Sequence, residues 1–245
     1  MTKDFSWLSR TELLIGDDAL QKLANSHVMV VGLGGVGSFA AEFIARSGVG
    51  KMTIIDGDVV DPTNRNRQLP ALATNHGVSK ADIMKERLLA INPELDLNVI
   101  KQFVNPEMVQ EQLESNPNYI IDAIDSITPK LTFLSIAYLN QIPVVSSMGA
   151  GGKLDPTLLK VVDISKTYNC PFAQQIRKNL KNKFGIKRGI KAVFSTELPA
   201  KDSIILTDGK NYKKSAYGTI SYLPAVFGAV TASVVIRDLI KHNSN

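Results

Sequence analysis

With 245 residues, 44% of them hydrophobic and 21% charged, the chain has enough apolar material for a sizeable core, which excludes the disordered and low-complexity classes. Its one cysteine, Cys170, excludes an internal disulfide framework and any zinc site built on CxxC pairs, so a reducing, cytoplasmic address is expected. The net charge of +5 is local: residues 164–196 carry eight Lys/Arg and no Asp or Glu, and the rest of the chain is slightly acidic.

The stretch Met1-Thr-Lys-Asp-Phe-Ser-Trp7 lacks the apolar run of a secretion signal. An apolar, β-branched run at residues 28–32 ends in glycine and is followed by helical spacing over 36–47, which predicts strand, turn and helix. The alternation continues with strands at 52–56, 97–100, 119–124 and 144–147 and helices at 79–91, 106–114 and 129–140. Strands alternating with helices predict βαβ units and a Rossmann-like, doubly wound, mostly parallel sheet over residues 1–149. Residues 150–245 change rhythm and are expected to elaborate the same sheet: strands at 158–164, 191–196 and 203–207, a basic helix at 171–183 and a closing helix at 224–241. The longest apolar stretch, residues 222–236, contains Pro224 and Gly228 and falls short of the ~20 residues a spanning helix needs, so it is read as a buried helix and no membrane span is expected.

Gly32-Leu-Gly34-Gly35-Val-Gly37 sits where a dinucleotide fingerprint belongs, after a strand and opening a helix. Gly32 permits the tight turn, Gly34 and Gly35 let backbone approach phosphate, and Gly37 lets the helix pack against the strand. Phosphate then meets a helix N-terminus, where unpaired N–H groups favour anions. Asp56 ends the second strand, placed to accept bonds from ribose hydroxyls. On these residues alone a nicotinamide dehydrogenase is the first expectation, since the same fingerprint serves NAD.

Further charges favour ATP. Thr63-Asn64-Arg65-Asn66-Arg67-Gln68 places two arginines on a loop after the second strand, and Lys80 opens the next helix. A triphosphate needs such cations where a pyrophosphate on a helix terminus needs few, although each one alone could equally be a solvated surface charge. Asp125, at the tip of the fourth strand, faces the same crevice; a carboxylate beside phosphates implies an intervening cation, hence Mg²⁺. Asp122 is expected to satisfy backbone donors, and Asp58 is divided between the two roles.

Together these residues resemble the ubiquitin-activating-type superfamily of carboxylate-adenylating enzymes, which includes ThiF and MoeB. The resemblance implies that Asn64, Arg67, Lys80 and Asp125 serve the nucleotide and that Asp56 holds the ribose. It also implies a homodimer in which Arg10, in Ser9-Arg-Thr-Glu-Leu-Leu-Ile-Gly16, reaches the partner's nucleotide. The sulfur-carrier activators of the superfamily usually have two CxxC pairs; both are absent here, and Cys170 has no neighbouring His, so it is read as inert.

The chain is more similar to the tRNA threonylcarbamoyladenosine dehydratase branch, through residues 32–38, 45–50, 64–68, 121–126, 149–156 and 193–197 and the Phe227-Gly228 helix. That resemblance implies ATP-dependent cyclisation of threonylcarbamoyladenosine beside a tRNA anticodon, with the carboxylate of the modified base adenylated. Arg177, Lys178, Lys181, Lys183, Lys187, Arg188 and Lys191 are then the expected tRNA contacts, since cations this dense repel one another unless a polyanion lies against them. Phe172 and Phe184 are expected in the core. The alternatives are a carrier-protein activator with a sulfur-transfer partner, a nicotinamide oxidoreductase, and a non-catalytic adaptor.

Overall fold

The computed structural model describes residues 5–206 and 215–241. The strands are β1 (His27–Val31), β2 (Lys51–Ile55), β3 (Asp96–Ile100), β4 (Tyr119–Asp122), β5 (Val144–Ser147), β6 (Leu159–Asp163), β7 (Lys191–Ser195), β8 (Ile204–Leu206) and β9 (Ser215–Tyr217). The α-helices are α1 (Ser9–Ile15), α2 (Asp17–Ala24), α3 (Gly37–Arg46), α4 (Lys80–Ile91), α5 (Pro106–Leu113), α6 (Ile127–Leu139), α7 (Pro171–Phe184) and α8 (Tyr222–Ile240).

Seven strands form one sheet in the order β3-β2-β1-β4-β5-β7-β6, parallel throughout except for the antiparallel β6–β7 pair. The doubly wound α/β fold expected from the alternation is therefore present, and β6 and β7 extend the same sheet. Alternate residues of β1 feed two cores: Val28 and Val30 pack with α3, α4 and α8, while Met29 and Val31 pack with α5, α6 and α7.

Local chemistry sets the helix bounds. Ser79 accepts from the Asp82 N–H at the start of α4, and Asn105 accepts from the Met108 N–H ahead of Pro106 in α5. Gly185 ends α7 in the left-handed conformation, at φ 70°. The fourth strand stops earlier than its apolar run suggests because the Asp122 carboxylate turns back to accept the Ile124 N–H. The following helix starts two residues before Pro129, since a proline in the first turn displaces no intrahelical bond. The short helices α1 and α2 and the strand β9 are additional to the sequence reading, and residue 207 of the expected strand at 203–207 lies outside the described residues.

Helix α8 is longer than the apolar stretch that foretold it. Its 19 residues contain an 18-residue window of mean hydropathy 1.7, long and apolar enough by length and composition to cross a membrane. In this fold it lies against α3 and the sheet, burying Leu223, Phe227, Thr231, Ala232, Val234 and Val235. Gly228 permits the approach: a Cβ there would lie 2.6 Å from the Val36 carbonyl oxygen.

Asp238 fastens the far end of α8 to the sheet. Its carboxylate accepts the Tyr119 hydroxyl at 2.7 Å and pairs with Lys191 and Lys241. Burial raises its pKa, but the hydrogen bonds from Lys191, Lys241 and Tyr119 outweigh that and hold it at about 2. A carboxyl held below its unfolded value of ~3.9 stabilises the native state above that value and loses its contribution as pH falls towards the folded value. Asp238→Asn should therefore lower Tm at neutral pH and lose stability less steeply than wild type on acidification from about pH 4 to about pH 2. Identical acid limbs in the two melting series would uncouple this cluster from folding.

Candidate nucleotide site

Parallel pairing brings three strand tips level: Val31 lies opposite Ile55 on β2 and Asp122 on β4. The chain reverses its direction of travel across the sheet between β1 and β4, and in such sheets ligands bind beyond the carboxyl ends at that point. A cavity of about 420 Å³ opens there. Gly32, Gly34 and Gly35 form its floor, and α3 points its N-terminus into it.

The glycines divide by the space around them. Gly32 has φ 87°, and a Cβ on it would lie 2.9 Å from the Ala123 carbonyl oxygen. A Cβ on Gly37 would lie 1.7 Å from the Gly32 oxygen, so this residue is needed for helix and strand to meet, and it does not line the cavity. At Gly34 the nearest atom is Gln68 Nε2 at 3.7 Å, so the fold itself leaves room for a side chain facing the cavity.

Asp56 is largely spoken for: its two oxygens accept the Leu33 and Asp58 N–H groups at 2.5 and 2.7 Å. Burial pushes its pKa above the ordinary value, against the opposing pull of Lys80 and these backbone donors. The backbone bonds hold the carboxylate at the cavity wall, where its remaining lone pairs can meet ribose hydroxyls.

Lys80 is the largest departure from a surface reading of the cations. It is only 4% exposed and opens α4 at the cavity wall, with its ammonium 3.1 Å from Asp58. Asp58 thereby acquires a role, as partner to a buried cation. Arg67 lines the cavity and is braced by the Thr63 carbonyl at 2.9 Å and the Asn66 amide oxygen at 2.8 Å. Asp125 lines it too and accepts the Ser126 hydroxyl at 3.3 Å.

Two expected nucleotide-site residues lie apart from the cavity. The Asn64 side chain accepts from the Asp61 N–H in a reciprocal cap, so it shapes the loop carrying Arg67, and it is not among the residues lining the cavity. Arg10 is exposed on α1, behind Leu8, and Leu8 packs where a Gly48 Cβ would lie 2.5 Å from it. Gly48 follows the end of α3 away from the glycine turn, and Arg10 does not line the cavity of its own chain.

In the basic segment two of the expected tRNA contacts have partners within the fold. Lys191 is neutralised by Asp238, and Arg177 is bound to the Thr167 carbonyl and hydroxyl, because charge balance is set in space and not along the sequence. Lys178, Lys181 and Lys187 line a groove with Gln174 and Arg177 on α7, whereas Lys183 and Arg188 are exposed beside it. Phe172 packs against the second core, but Phe184 is 42% exposed. Cys170 is buried and does not line the cavity, and a base-like neighbour does exist, namely Lys153. Burial lowers the Lys153 pKa, a fall partly offset by Cys170 and Glu197 beside it.

The sequence reading missed the walls. Gln102, Phe103 and Val104 close one side, with Phe103 N only 2.7 Å from where a Gly57 Cβ would stand. Ala150, Gly151, Thr219 and Pro224 close the other, and Asn66 ties the arginine loop to Thr219 at 2.8 Å. Only the glycine cluster at 149–152 hinted at the second wall.

Fold and cavity define a doubly wound phosphate-binding protein with more cationic provision than a pyrophosphate on a helix terminus requires. The ThiF family model matches residues 8–245, and the chain belongs to that family. It is 41% identical over 240 residues to the tRNA threonylcarbamoyladenosine dehydratase of Bacillus subtilis, covering 95% of this chain and 94% of the relative. It is 40% identical over 253 residues to the Escherichia coli protein of the same name, covering 96% and 94%. A crystal structure of the E. coli tRNA N6-threonylcarbamoyladenosine dehydratase, TcdA, in complex with ATP superposes with a TM-score of 0.88 at 39% identity, covering 98% of this chain and 97% of that one.

The two kinds of glycine make opposite predictions. Gly37→Ala should fail to fold or melt far below wild type, because its methyl group would overlap backbone. Gly34→Ala should melt within a few degrees of wild type yet bind ATP at least about tenfold more weakly, since the methyl occupies space kept for phosphate. Melting curves and ATP calorimetry on both variants check this; normal ATP affinity in Gly34→Ala would remove the glycine turn from the site.

Proposed function

We propose that this chain is an ATP-dependent dehydratase that adenylates the carboxylate of threonylcarbamoyladenosine in tRNA and drives its cyclisation, releasing AMP and pyrophosphate. The observation that carries this reading is the convergence of Arg67, Lys80 and Asp125 on the glycine turn, in a chain similar over nearly its whole length to enzymes of that name.

In this reading the substrate carboxylate attacks the α-phosphate and pyrophosphate leaves. The glycine turn and the N-terminus of α3 hold phosphate oxygens, Arg67 offsets charge building on the α-phosphate, and Lys80 holds the β and γ phosphates. Lys80 is well suited because its partner Asp58 is 37% exposed at the side chain and can share the ammonium with phosphate. No group of three His, Cys, Asp or Glu suited to a metal occurs among the described residues, but Mg²⁺ on a nucleotide needs only one or two carboxylates besides phosphates, so Asp125 fits. Bound there, the ion would neutralise charge on the leaving group. The acyl-adenylate is then closed by the substrate's own carbamoyl group, expelling AMP. No enzyme nucleophile is required, which agrees with a buried Cys170 away from the cavity.

The tRNA is proposed to run from the cavity along α7. That helix starts beside the cavity wall, with Phe172 Cβ 3.6 Å from where a Gly149 Cβ would stand, and its 14 residues carry the groove about 20 Å away. Phosphate contacts would come from Lys178, Lys181 and Lys187, with Lys183 and Arg188 at the margin. Pyrophosphate release should occur with tRNA bearing the modified base and be absent with unmodified tRNA or a sulfur-carrier protein. Asp125→Ala should lower the rate on the order of 100-fold or more. Replacing Lys178, Lys181 and Lys187 with Gln should weaken tRNA but not ATP. Release with the carrier protein instead would favour the carrier-activating alternative.

Arg10 is proposed to act in trans within a homodimer. The support is its remoteness from its own cavity and the apolar face beside it, where Leu13 is 89% and Leu14 84% exposed. Mixed dimers of inactive Arg10→Ala and inactive Asp125→Ala chains should recover part of the activity, because one of the two sites then receives both groups. Mixed dimers without any recovery would place Arg10 in its own chain's site or in none.

A further inference from the structure

Behind the cavity lies a polar cluster that the chemistry above does not use. Lys130, on α6, is fully buried, with its ammonium 2.7 Å from Asp122 Oδ2. The same nitrogen donates to the Ile124 carbonyl at 3.0 Å and the Ser147 carbonyl at 2.9 Å, so its three protons have three acceptors. Asp122 is completed by the Ser146 hydroxyl at 2.6 Å and the Ile124 N–H at 3.1 Å. The Phe172 ring covers the ammonium at 5.6 Å.

Taking an ammonium out of water is costly, and a packed apolar side chain of similar volume could fill the space without that cost. What the ammonium adds is direction. Its bonds join Ile124, the residue before Asp125, to Ser147, which leads into the Ala150–Gly151 wall. One segment bears the proposed phosphate-side carboxylate, and the other faces it across the cavity.

We propose that Lys130 is a positioning residue for adenylation: its buried ammonium fixes the tip of β4 against the end of β5, and so the approach of the substrate carboxylate to the α-phosphate. This rests on the adenylating function proposed above. Misplacing reacting groups by about 1 Å can cost on the order of 100-fold in rate without abolishing binding.

The test uses the full chain in two forms, Lys130→Met and Lys130→Met/Asp122→Asn. The single variant keeps volume but strands a buried carboxylate, so its Tm should fall; the double variant removes that charge and should recover most of the Tm. If Lys130 only stabilises the fold, turnover returns with Tm. If it positions, the double variant keeps ATP affinity within about threefold of wild type while kcat for pyrophosphate release stays down on the order of 100-fold. Amide exchange at Ala123, Ile124 and Met148 should also be faster in the double variant, because the tie between the two strand ends is gone. Wild-type kcat or wild-type exchange in the double variant overturns the proposal, and a single variant that does not fold leaves the decision to the double. Absence of pyrophosphate release by wild type would instead overturn the adenylating function, while the exchange rates still decide whether Lys130 ties the walls.

Discussion

The contact between Gly37 and Gly32, with Ala123 pressed against both, is the constraint on which the rest of the molecule depends. A single methyl group there would meet backbone at 1.7 Å. Because these residues touch, α3 begins directly on the ends of β1 and β4, and its unpaired N–H groups face the cavity instead of packed side chains. Gly34 keeps an opening only because the turn around it is that tight. Two of the site's carboxylates are placed next to this contact, since Asp56 accepts the Leu33 N–H and Asp125 lies on the tip that carries Ala123.

Around this turn the protein places buried cations. Lys80, Lys130 and Lys153 are each at most 4% exposed, and each sits at the carboxyl edge of the sheet. Two of them are bound to strand-end carbonyls: Lys130 bridges the ends of β4 and β5, and Lys153 reaches the Gly149 and Ser195 carbonyls at 3.2 and 3.4 Å. Strand ends in a parallel sheet leave carbonyls without a strand partner, and an ammonium supplies up to three donors to them. Of the three, Lys80 lines the nucleotide cavity, whereas the charge of Lys130 is balanced by Asp122 behind it.

The sheet was legible in the sequence because short, mostly apolar strand segments alternate regularly with segments of helical spacing. The glycine turn, Asp56 and the tip at Asp125 were legible because each is a local pattern in a fixed relation to a strand. Helices α1 and α2 went unread, although α2 buries Ala19, Leu20, Leu23 and Ala24 at helical spacing. The cap that the Asn64 amide makes with an adjacent N–H is a local use that the residue type does not reveal. The acid that balances Lys191, Asp238, lies on a helix distant in sequence. Most of the cavity walls could not be read, since Phe103 and Thr219 come from loops and Pro224 from α8, which only the tertiary fold brings together.

The packing of α8 bears on how the chain acquires its site during synthesis. Pro224 stands 2.9 Å from where a Gly35 Cβ would be, and Gly228 lies against Val36, so the most apolar helix rests directly on the phosphate-binding turn. The turn leaves the ribosome early and α8 far later, so the apolar flank of β1 and α3 that α8 covers lacks its partner for most of translation. The earliest recognisable element of the nucleotide site is thus among the last to be completed. Until α8 docks, that flank is a surface for chaperones to shield, and nucleotide capture reports completion of the whole fold.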